Sequence, residues 1–177
     1  MKVRTAKEGD ANKIAEIHIT SWQTTYRGII DDETLDQLDF EKRRLFWHRI
    51  IVEAKSIVLV AELDKVGIVG FISGDKAFEN DDEILKPFDA ELYAIYILDK
   101  HQRKGIGRLL VRSLLEKLTT RGFSRLVLWV LTDNTKACHF YDRLGGEILM
   151  HKPTHIGEQL LSETAYGWTN FASLLKL

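Results

Sequence analysis

The residues whose types could do chemistry are concentrated in one short basic segment, residues 99–108, which reads Asp-Lys-His-Gln-Arg-Lys-Gly-Ile-Gly-Arg. The segment follows an apolar run at residues 91–98 and precedes a stretch with helical apolar spacing. Four bases against one acid give it a local charge of +3, whereas the whole chain carries a formal net charge of −1. Glycines let a backbone approach an anion closely, and the free N–H groups at a helix N-terminus attract negative charge. The pattern therefore predicts a binding site for a polyphosphate.

Two common phosphate-binding motifs do not fit this segment. A P-loop requires a Lys followed by Ser or Thr after its second glycine, but Gly107 is followed by Arg108 and Leu109. A dinucleotide-binding fingerprint needs a third glycine where Leu110 stands, and it usually lies on the first strand of its domain. The sequence therefore favours neither nucleotide hydrolysis nor a nucleotide-binding regulator.

The elements that must position this segment are predicted from the spacing of apolar residues. The predicted order is a strand at residues 2–5, a helix capped by Asp10 and ended near Gly28, a helix at residues 34–52 with a break near Phe40, a hairpin of residues 56–62 and 66–73, a strand at residues 91–98, a helix from Gly107 to Gly122, a strand at residues 126–131, a helix capped at residues 132–134 and ended at Gly145, and two paired strands at residues 147–151 and 162–170. This is an α/β pattern.

Composition limits the class of protein further. The chain has 177 residues, 45% of them hydrophobic and 29% charged, with two prolines and no linker or internal repeat, so one domain spanning residues 1–177 is predicted. The nearly neutral charge argues against nucleic acid as a partner. No apolar run approaches the ~20 residues that cross a bilayer, so no membrane association is expected. Because Cys138 is the only cysteine, an internal disulfide is excluded and a cytoplasmic location is expected.

The pattern Gln102-x-x-Gly105-x-Gly107, between a strand and a helix, resembles the signature Gln/Arg-x-x-Gly-x-Gly/Ala of the GCN5-related N-acetyltransferase (GNAT) family. An acidic residue early in the preceding strand and the pair Asn134 and Tyr141 in the next strand-helix unit are also similar to the family. The resemblance implies a mixed, mostly antiparallel sheet of about seven strands flanked by helices, with a splayed central strand pair. It further implies direct transfer of an acetyl group from acetyl-CoA to a primary amine of a small molecule or peptide. The alternative is a non-catalytic acyl-CoA-binding sensor with the same fold.

The same resemblance assigns residues to the coenzyme. Backbone N–H groups of residues 103–108 would hold the diphosphate, a strand N–H near Ile97 would polarise the thioester carbonyl, and Asn134 would help to hold the pantetheine arm. The predicted coenzyme-binding residues are Ile97, Leu98, Gln102, Arg103, Lys104, Gly105, Ile106, Gly107, Arg108 and Asn134. Asn134 has an equally good structural interpretation, as a helix cap.

Two residues are assigned to proton transfer. A base is needed because the amine must lose a proton, and an acid is useful because the leaving thiolate is stabilised when it gains one. The resemblance makes Tyr141 the expected general acid, although a Tyr on an apolar helix stripe is often a core residue. Glu91 is the expected general base, although an acid at a strand start is often only solvated. The weaker candidates for the base are Glu62, Asp89, His18, His48 and His139.

The acceptor side is less well determined by the sequence. Three aromatic residues either line an acceptor pocket or belong to the core: Trp22, Tyr26 and Trp47. The acidic stretches at residues 31–39 and 79–89 either attract a cationic amine or are solvated loops. No metal is expected, since Pro153 interrupts any helix that would bring His151 and His155 together. Cys138 is expected to be an inert thiol, a homodimer is possible, and the acceptor's identity is not predicted.

Overall fold

The computed structural model describes residues 1–79 and 81–176, which form a mixed sheet with helices on both faces. The strands are β1 (Lys2–Thr5), β2 (Ile57–Leu63), β3 (Gly67–Lys76), β4 (Ala90–Ile97), β5 (Leu126–Leu131), β6 (Glu147–Ile156) and β7 (Gln159–Trp168). The helices are α1 (Ala11–Tyr26), α2 (Asp32–Asp36), α3 (Phe40–Val52), α4 (Ile106–Thr120) and α5 (Thr135–Arg143), with short 3-10 turns at Glu8–Asp10, Asp99–His101 and Phe171–Lys176.

The sheet has the strand order β1-β2-β3-β4-β5-β7-β6 and is antiparallel except between β4 and β5. The parallel ladder runs only from the Ala90↔Leu126 pair to the Leu92↔Leu128 pair. Beyond these pairs the two central strands diverge and leave a gap. The predicted mixed, mostly antiparallel sheet with a splayed central pair is therefore confirmed.

Strand β4 contains a bulge at the point where the gap begins. The register with β3 passes from Ser73↔Ala94 to Gly74↔Leu92, so Tyr93 is an extra residue. A Cβ atom on Gly74 would lie 2.6 Å from the carbonyl oxygen of Glu91, so this close approach requires glycine. The bulge changes which face successive β4 side chains occupy.

Two apolar cores lie on opposite faces of the sheet. On one face, α4 and α5 pack against Leu92, Leu126 and Leu128; α4 contributes a stripe of buried residues, Ile106, Leu110, Val111, Leu114, Leu115 and Leu118. Each fully buried Leu of this kind stabilises the fold by about 1.5–3 kcal/mol. On the other face, α1 and α3 cover β2, β3 and the end of β4, including Ala94 and Tyr96. The site must therefore lie where β4 passes between two helical layers.

Several predicted boundaries differ from the structure for local reasons. The break predicted near Phe40 in the helix at residues 34–52 is confirmed, since the Asp39 side chain accepts a hydrogen bond from Lys42 N and α3 starts at Phe40. The helix before the break starts earlier than predicted, at Asp32. Asp10 does not cap α1 through its side chain, since its carboxylate binds Arg4 and the Lys7 N–H instead. Among the described residues, no helix is long and apolar enough to span a membrane.

The last two strands are longer than predicted. Strand β6 continues through Pro153 to Ile156 and turns at Gly157, whose φ is +60°, into β7. Because β6 is the outer strand of the sheet, a proline there need not disrupt pairing. The predicted end of this strand at residue 151 was therefore too early, because pairing with β7 continues past Pro153.

Candidate active site

The N-terminus of α4 is free of side-chain caps and of acidic residues in its first turn. Gly105 precedes the helix in the left-handed conformation, with φ +79°, and a Cβ atom there would meet open space. The first intrahelical bond runs from Leu109 N to the Gly105 carbonyl, so the preceding N–H groups of Ile106, Gly107 and Arg108 have no partner within the helix. These N–H groups form the positive end of a helix dipole, as an anion site requires.

Gly107 lets three elements meet closely at this point. A Cβ atom on Gly107 would lie 3.1 Å from Phe140 Cζ in α5 and 3.6 Å from Ile97 Cδ1 in β4. Its role is therefore close packing, whereas Gly105 supplies the positive φ. The two glycines of the motif are therefore required for different physical reasons.

Hydrogen bonds fix the loop between β4 and α4. The Gln102 Nε2 donates to the Ile97 carbonyl at 3.0 Å, and the Lys104 Nζ donates to the Lys100 carbonyl at 2.8 Å. Gln102 therefore ties the loop to the end of β4. The side chains of Arg103, Lys104 and Arg108 remain exposed beside the helix N-terminus.

The edge of β4 that faces the gap presents backbone N–H groups. Leu98 N donates to Val69 O of β3 at 3.0 Å, so alternate residues along the strand point the other way. By this alternation the N–H groups of Ile95 and Ile97 face the gap. The sequence predicts a role for the N–H near Ile97 but not for that of Ile95, because the direction of an N–H depends on which neighbouring strand it pairs with.

Aromatic hydroxyls lie beside the gap. Trp22 Nε1 donates to the Tyr96 hydroxyl at 2.8 Å, and the Tyr26 hydroxyl interacts with Tyr96 and Asn134. Tyr26 is only 9% exposed, so it belongs to the core as well as to this cluster, whereas Trp22 is half-buried. Tyr96 was not predicted as a site residue, because it lies within a continuous apolar strand in the sequence.

Tyr141 lies on α5, facing the sheet, and is only 6% exposed. Its ring contacts Tyr166, with centroids 5.6 Å apart, and its hydroxyl is close enough to Tyr26 to affect it electrostatically. Burial raises the pKa of Tyr141 above its ordinary value. The phenol therefore stays protonated at neutral pH, as a proton donor must.

Asn134 begins α5. Its Oδ1 accepts a hydrogen bond from Ala137 N at 3.2 Å, so the cap interpretation is confirmed. Its side chain also interacts with Tyr26. Contact with a pantetheine arm stays a prediction.

Glu91 lines a cavity of about 180 Å³ on the sheet face that carries α1 and α3. The walls include Phe78, Trp129 and Lys152. Glu91 Oε2 accepts the Phe78 N–H at 3.4 Å, and burial raises the pKa of this carboxyl. The Lys152 Nζ lies 3.6 Å from the centre of the Trp129 ring, so these two walls of the cavity form a cation–π contact with each other.

The other acids proposed as bases have structural partners elsewhere. Glu62 forms ion pairs with Arg4 and Lys2 at the outer strands of the sheet. Asp89 accepts the backbone N–H of Ser124 before β5. Both are therefore placed to stabilise the fold, and Glu91 is the acid that lies on β4 beside the start of the gap.

The histidines and the cysteine also have other environments. His48 pairs with Glu8, and His139 is exposed on α5. Burial and the charge of Arg43 lower the pKa of His18 to about 3, which makes it a weak base. Burial raises the pKa of Cys138, so an inert thiol is favoured, as predicted.

The fold of the described residues is that of the N-acetyltransferases that use acetyl-CoA. The model of the Acetyltransferase (GNAT) family matches residues 13–146, and the chain belongs to this family. It is 34% identical over 176 residues to the uncharacterized N-acetyltransferase YuaI of Bacillus subtilis (strain 168), covering 99% of this chain and 96% of YuaI. The protein is accordingly a GNAT-type N-acetyltransferase.

Solved structures agree with this fold. The PaiA N-acetyltransferase from Thermoplasma acidophilum, in complex with coenzyme A, superposes with a TM-score of 0.71 at 24% identity, covering 92% of this chain and 96% of that one. The yncA acetyltransferase from Salmonella typhimurium, with acetyl-CoA, superposes with a TM-score of 0.69 at 20% identity, covering 95% and 92%. GNAT structures with this fold therefore include complexes with coenzyme A and with acetyl-CoA.

Proposed function

We propose that this protein transfers an acetyl group from acetyl-CoA directly to a primary amine of a small molecule or peptide. The observation that carries the proposal is the uncapped N-terminus of α4 at the open end of the gap between β4 and β5. Tyr141 approaches this gap from α5, and Glu91 lies on β4 where the ladder with β5 ends. The proposed diphosphate site, proton donor and proton acceptor would thus all border the gap beside β4.

The described residues fit acetyl-CoA by charge and by length. Exposed Arg103, Lys104 and Arg108 surround N–H groups that would bind the diphosphate. At about 3.3 Å per residue, β4 from Leu92 to Ile97 extends about 16 Å, which accommodates an extended pantetheine arm. Gln102 supports this site by holding the loop against Ile97.

The backbone of β4 would stabilise charge during transfer. When bound, acetyl-CoA supplies an acetyl thioester for attack by the amine. The N–H groups of Ile95 and Ile97 would donate to the thioester oxygen, where negative charge develops. Because these donors are part of a paired strand, they need no rearrangement to act.

Two side chains would move protons. Glu91 would accept the proton of the acceptor ammonium, directly or through water, and its raised pKa brings it closer to a working pH near neutrality. The Tyr141 hydroxyl would donate a proton to the departing sulfur. Transfer needs no covalent enzyme intermediate, which agrees with the inert environment of Cys138.

Reversing the charge of Arg103 and Lys104 together, to Glu, is expected to weaken acetyl-CoA binding by about 10- to 100-fold, because two attractive contacts with phosphate become repulsive. Isothermal titration calorimetry measures this directly. The matched control is the double variant Arg112→Glu and Lys117→Glu, which makes the same charge change farther along α4. Equal affinities in parent and Arg103/Lys104 variant would contradict the diphosphate site.

The proposed activity is tested by release of free thiol from acetyl-CoA with a panel of polyamines, aminoglycosides, amino acids and peptides. Acceptor-dependent release, with an acetylated product seen by mass spectrometry, is the expected result. Binding of acetyl-CoA without turnover of any acceptor would instead favour the sensor.

A further inference from the structure

Arg43 is a half-buried cation without an acidic partner. Its guanidinium lies between two aromatic rings, 6.0 Å from the centre of Trp22 and 5.8 Å from the centre of Phe46. Throughout residues 1–79 and 81–176, no carboxylate lies within ion-pair distance of it. Burial lowers the pKa of Arg43 and nearby Tyr96 acts in the opposite direction, while the charge of Arg43 contributes to the lowered pKa of His18. A desolvated guanidinium normally requires an anion.

Arg43 differs from the other described arginines in being half-buried and also without a carboxylate partner. The others that have no ion pair are all exposed, namely Arg49, Arg103, Arg108, Arg125 and Arg143. Those with a carboxylate partner within ion-pair distance include Arg4, Arg27, Arg44, Arg112 and Arg121. Arg44, the next residue on α3, is also half-buried, but it pairs with Glu41 at 2.9 Å. Arg43 therefore lacks a carboxylate partner because of where it lies on α3, on the side that faces α1 and β4.

Arg43 is connected through neighbouring side chains to the part of β4 that borders the gap. Trp22, which it contacts, donates its indole N–H to the Tyr96 hydroxyl at 2.8 Å. Tyr96 stands on β4 between the two residues whose N–H groups face the gap. Arg43 is thus on the face of β4 that also carries Glu91, the face from which an acceptor would approach.

A second polar group in this region has no partner. His18 Nδ1 accepts the indole N–H of Trp47 at 3.1 Å, so the neutral ring carries its proton on Nε2. That Nε2 has no hydrogen-bond partner among the described residues, although His18 is only 6% exposed. The ring stacks on Tyr96 with centroids 4.8 Å apart. The unpaired Nε2 of His18 and the guanidinium of Arg43, which has no carboxylate partner, therefore lie in the surroundings of the same tyrosine.

We propose that Arg43 binds a carboxylate of the acceptor, so that the preferred substrates are primary amines that also carry a carboxylate, of which free amino acids are the simplest class. This inference rests on the proposed acetyl transfer and specifies its substrate. Guanidinium and carboxylate match in shape and form paired hydrogen bonds. The rings of Trp22 and Phe46 hold the guanidinium in place without neutralising it.

The test compares amino acids with their amides, which keep the amine and lose the negative charge. For the parent protein, kcat/KM is expected to be about 10- to 100-fold higher for the amino acid, the value of a charged hydrogen-bond pair. Arg43→Gln should remove this preference, mainly by raising KM, while Arg43→Lys should retain part of it. The matched control Arg44→Gln should keep the full preference, and acetyl-CoA affinity should be equal in all variants.

Three results would separate this inference from the proposed function. Equal turnover of amino acids and amides by the parent would overturn the carboxylate site and leave acetyl transfer intact. An equal loss on both acceptors in Arg43→Gln, with unchanged thermal unfolding, would also overturn it. If no acceptor is turned over, the proposed function fails, and calorimetry then tests the carboxylate site on its own. Binding of an amino acid to the coenzyme A complex that is lost in Arg43→Gln would support the carboxylate site. Absence of any such binding would overturn it.

Discussion

Replacing Tyr141 with Phe is expected to lower kcat by about 10²- to 10³-fold, within the range that general acid-base groups contribute. The reason is that the substitution removes one buried hydroxyl and keeps the ring that packs against Tyr166 and Phe140. The departing thiolate would then lose its proton donor. The affinity for acetyl-CoA should stay nearly the same, because the diphosphate site at α4 is untouched. Steady-state thiol release and calorimetry measure the two quantities separately.

The control for this experiment is Tyr166→Phe. Tyr166 is also buried beside Tyr141, but its hydroxyl donates to Asp142 at 2.8 Å, so its loss should affect stability more than turnover. Parent-like kcat in Tyr141→Phe would remove Tyr141 from the mechanism. An equal fall in both variants would indicate a packing effect at α5 and not proton donation.

Glu91→Gln is expected to lower kcat/KM by about 10²-fold or more near neutral pH, because Gln cannot accept a proton. The sign of the pH dependence follows from the role. A base acts when deprotonated, so parent activity should rise with pH through the pKa of Glu91, which burial places above its ordinary value. This rise, the acidic limb of the pH profile, should be missing in Glu91→Gln. The rise due to deprotonation of the free amine, near its own pKa of about 10, should remain in both.

A neighbouring acid supplies the control for Glu91. Asp75 faces Glu91 across the β3/β4 ladder but pairs with Arg121, so Asp75→Asn should keep the acidic limb of the pH profile. A profile of kcat/KM measured from acidic to alkaline pH distinguishes the two. An unchanged acidic limb in Glu91→Gln would assign the base to another group or to water.

Those parts of the site that depend on local sequence were predictable. Gly105, Gly107 and the bases around them lie within a few residues of one another, so a single strand-loop-helix unit determines their arrangement. The cap at Asn134 is equally local. The apolar stripe of α4 predicts its buried face because helical periodicity is itself a local property.

The parts that were missed depend on contacts between distant segments. Ile95 acquires a role only because β4 pairs with β3 on one edge and diverges from β5 on the other. Arg43 could not be distinguished from Arg44 by the sequence, since their partners differ only after α3 packs on α1. Tyr96 joins Trp22 across 74 positions of the chain. Periodicity alone contains no information about these pairings.

The bulge at Tyr93 has a consequence for how this protein tolerates change. One additional residue lets Leu92 fill the core under α4, while Ala94 and Tyr96 turn toward α1 together with Glu91. Point substitutions in β4 would alter one side chain at a time and leave this alternation intact. Deleting a single residue there would move every side chain on one side of the deletion to the opposite face of the sheet. The face that packs under α4 and the face that carries Glu91 would then exchange side chains. Variation in this strand is therefore expected to proceed by replacement, with its length held constant.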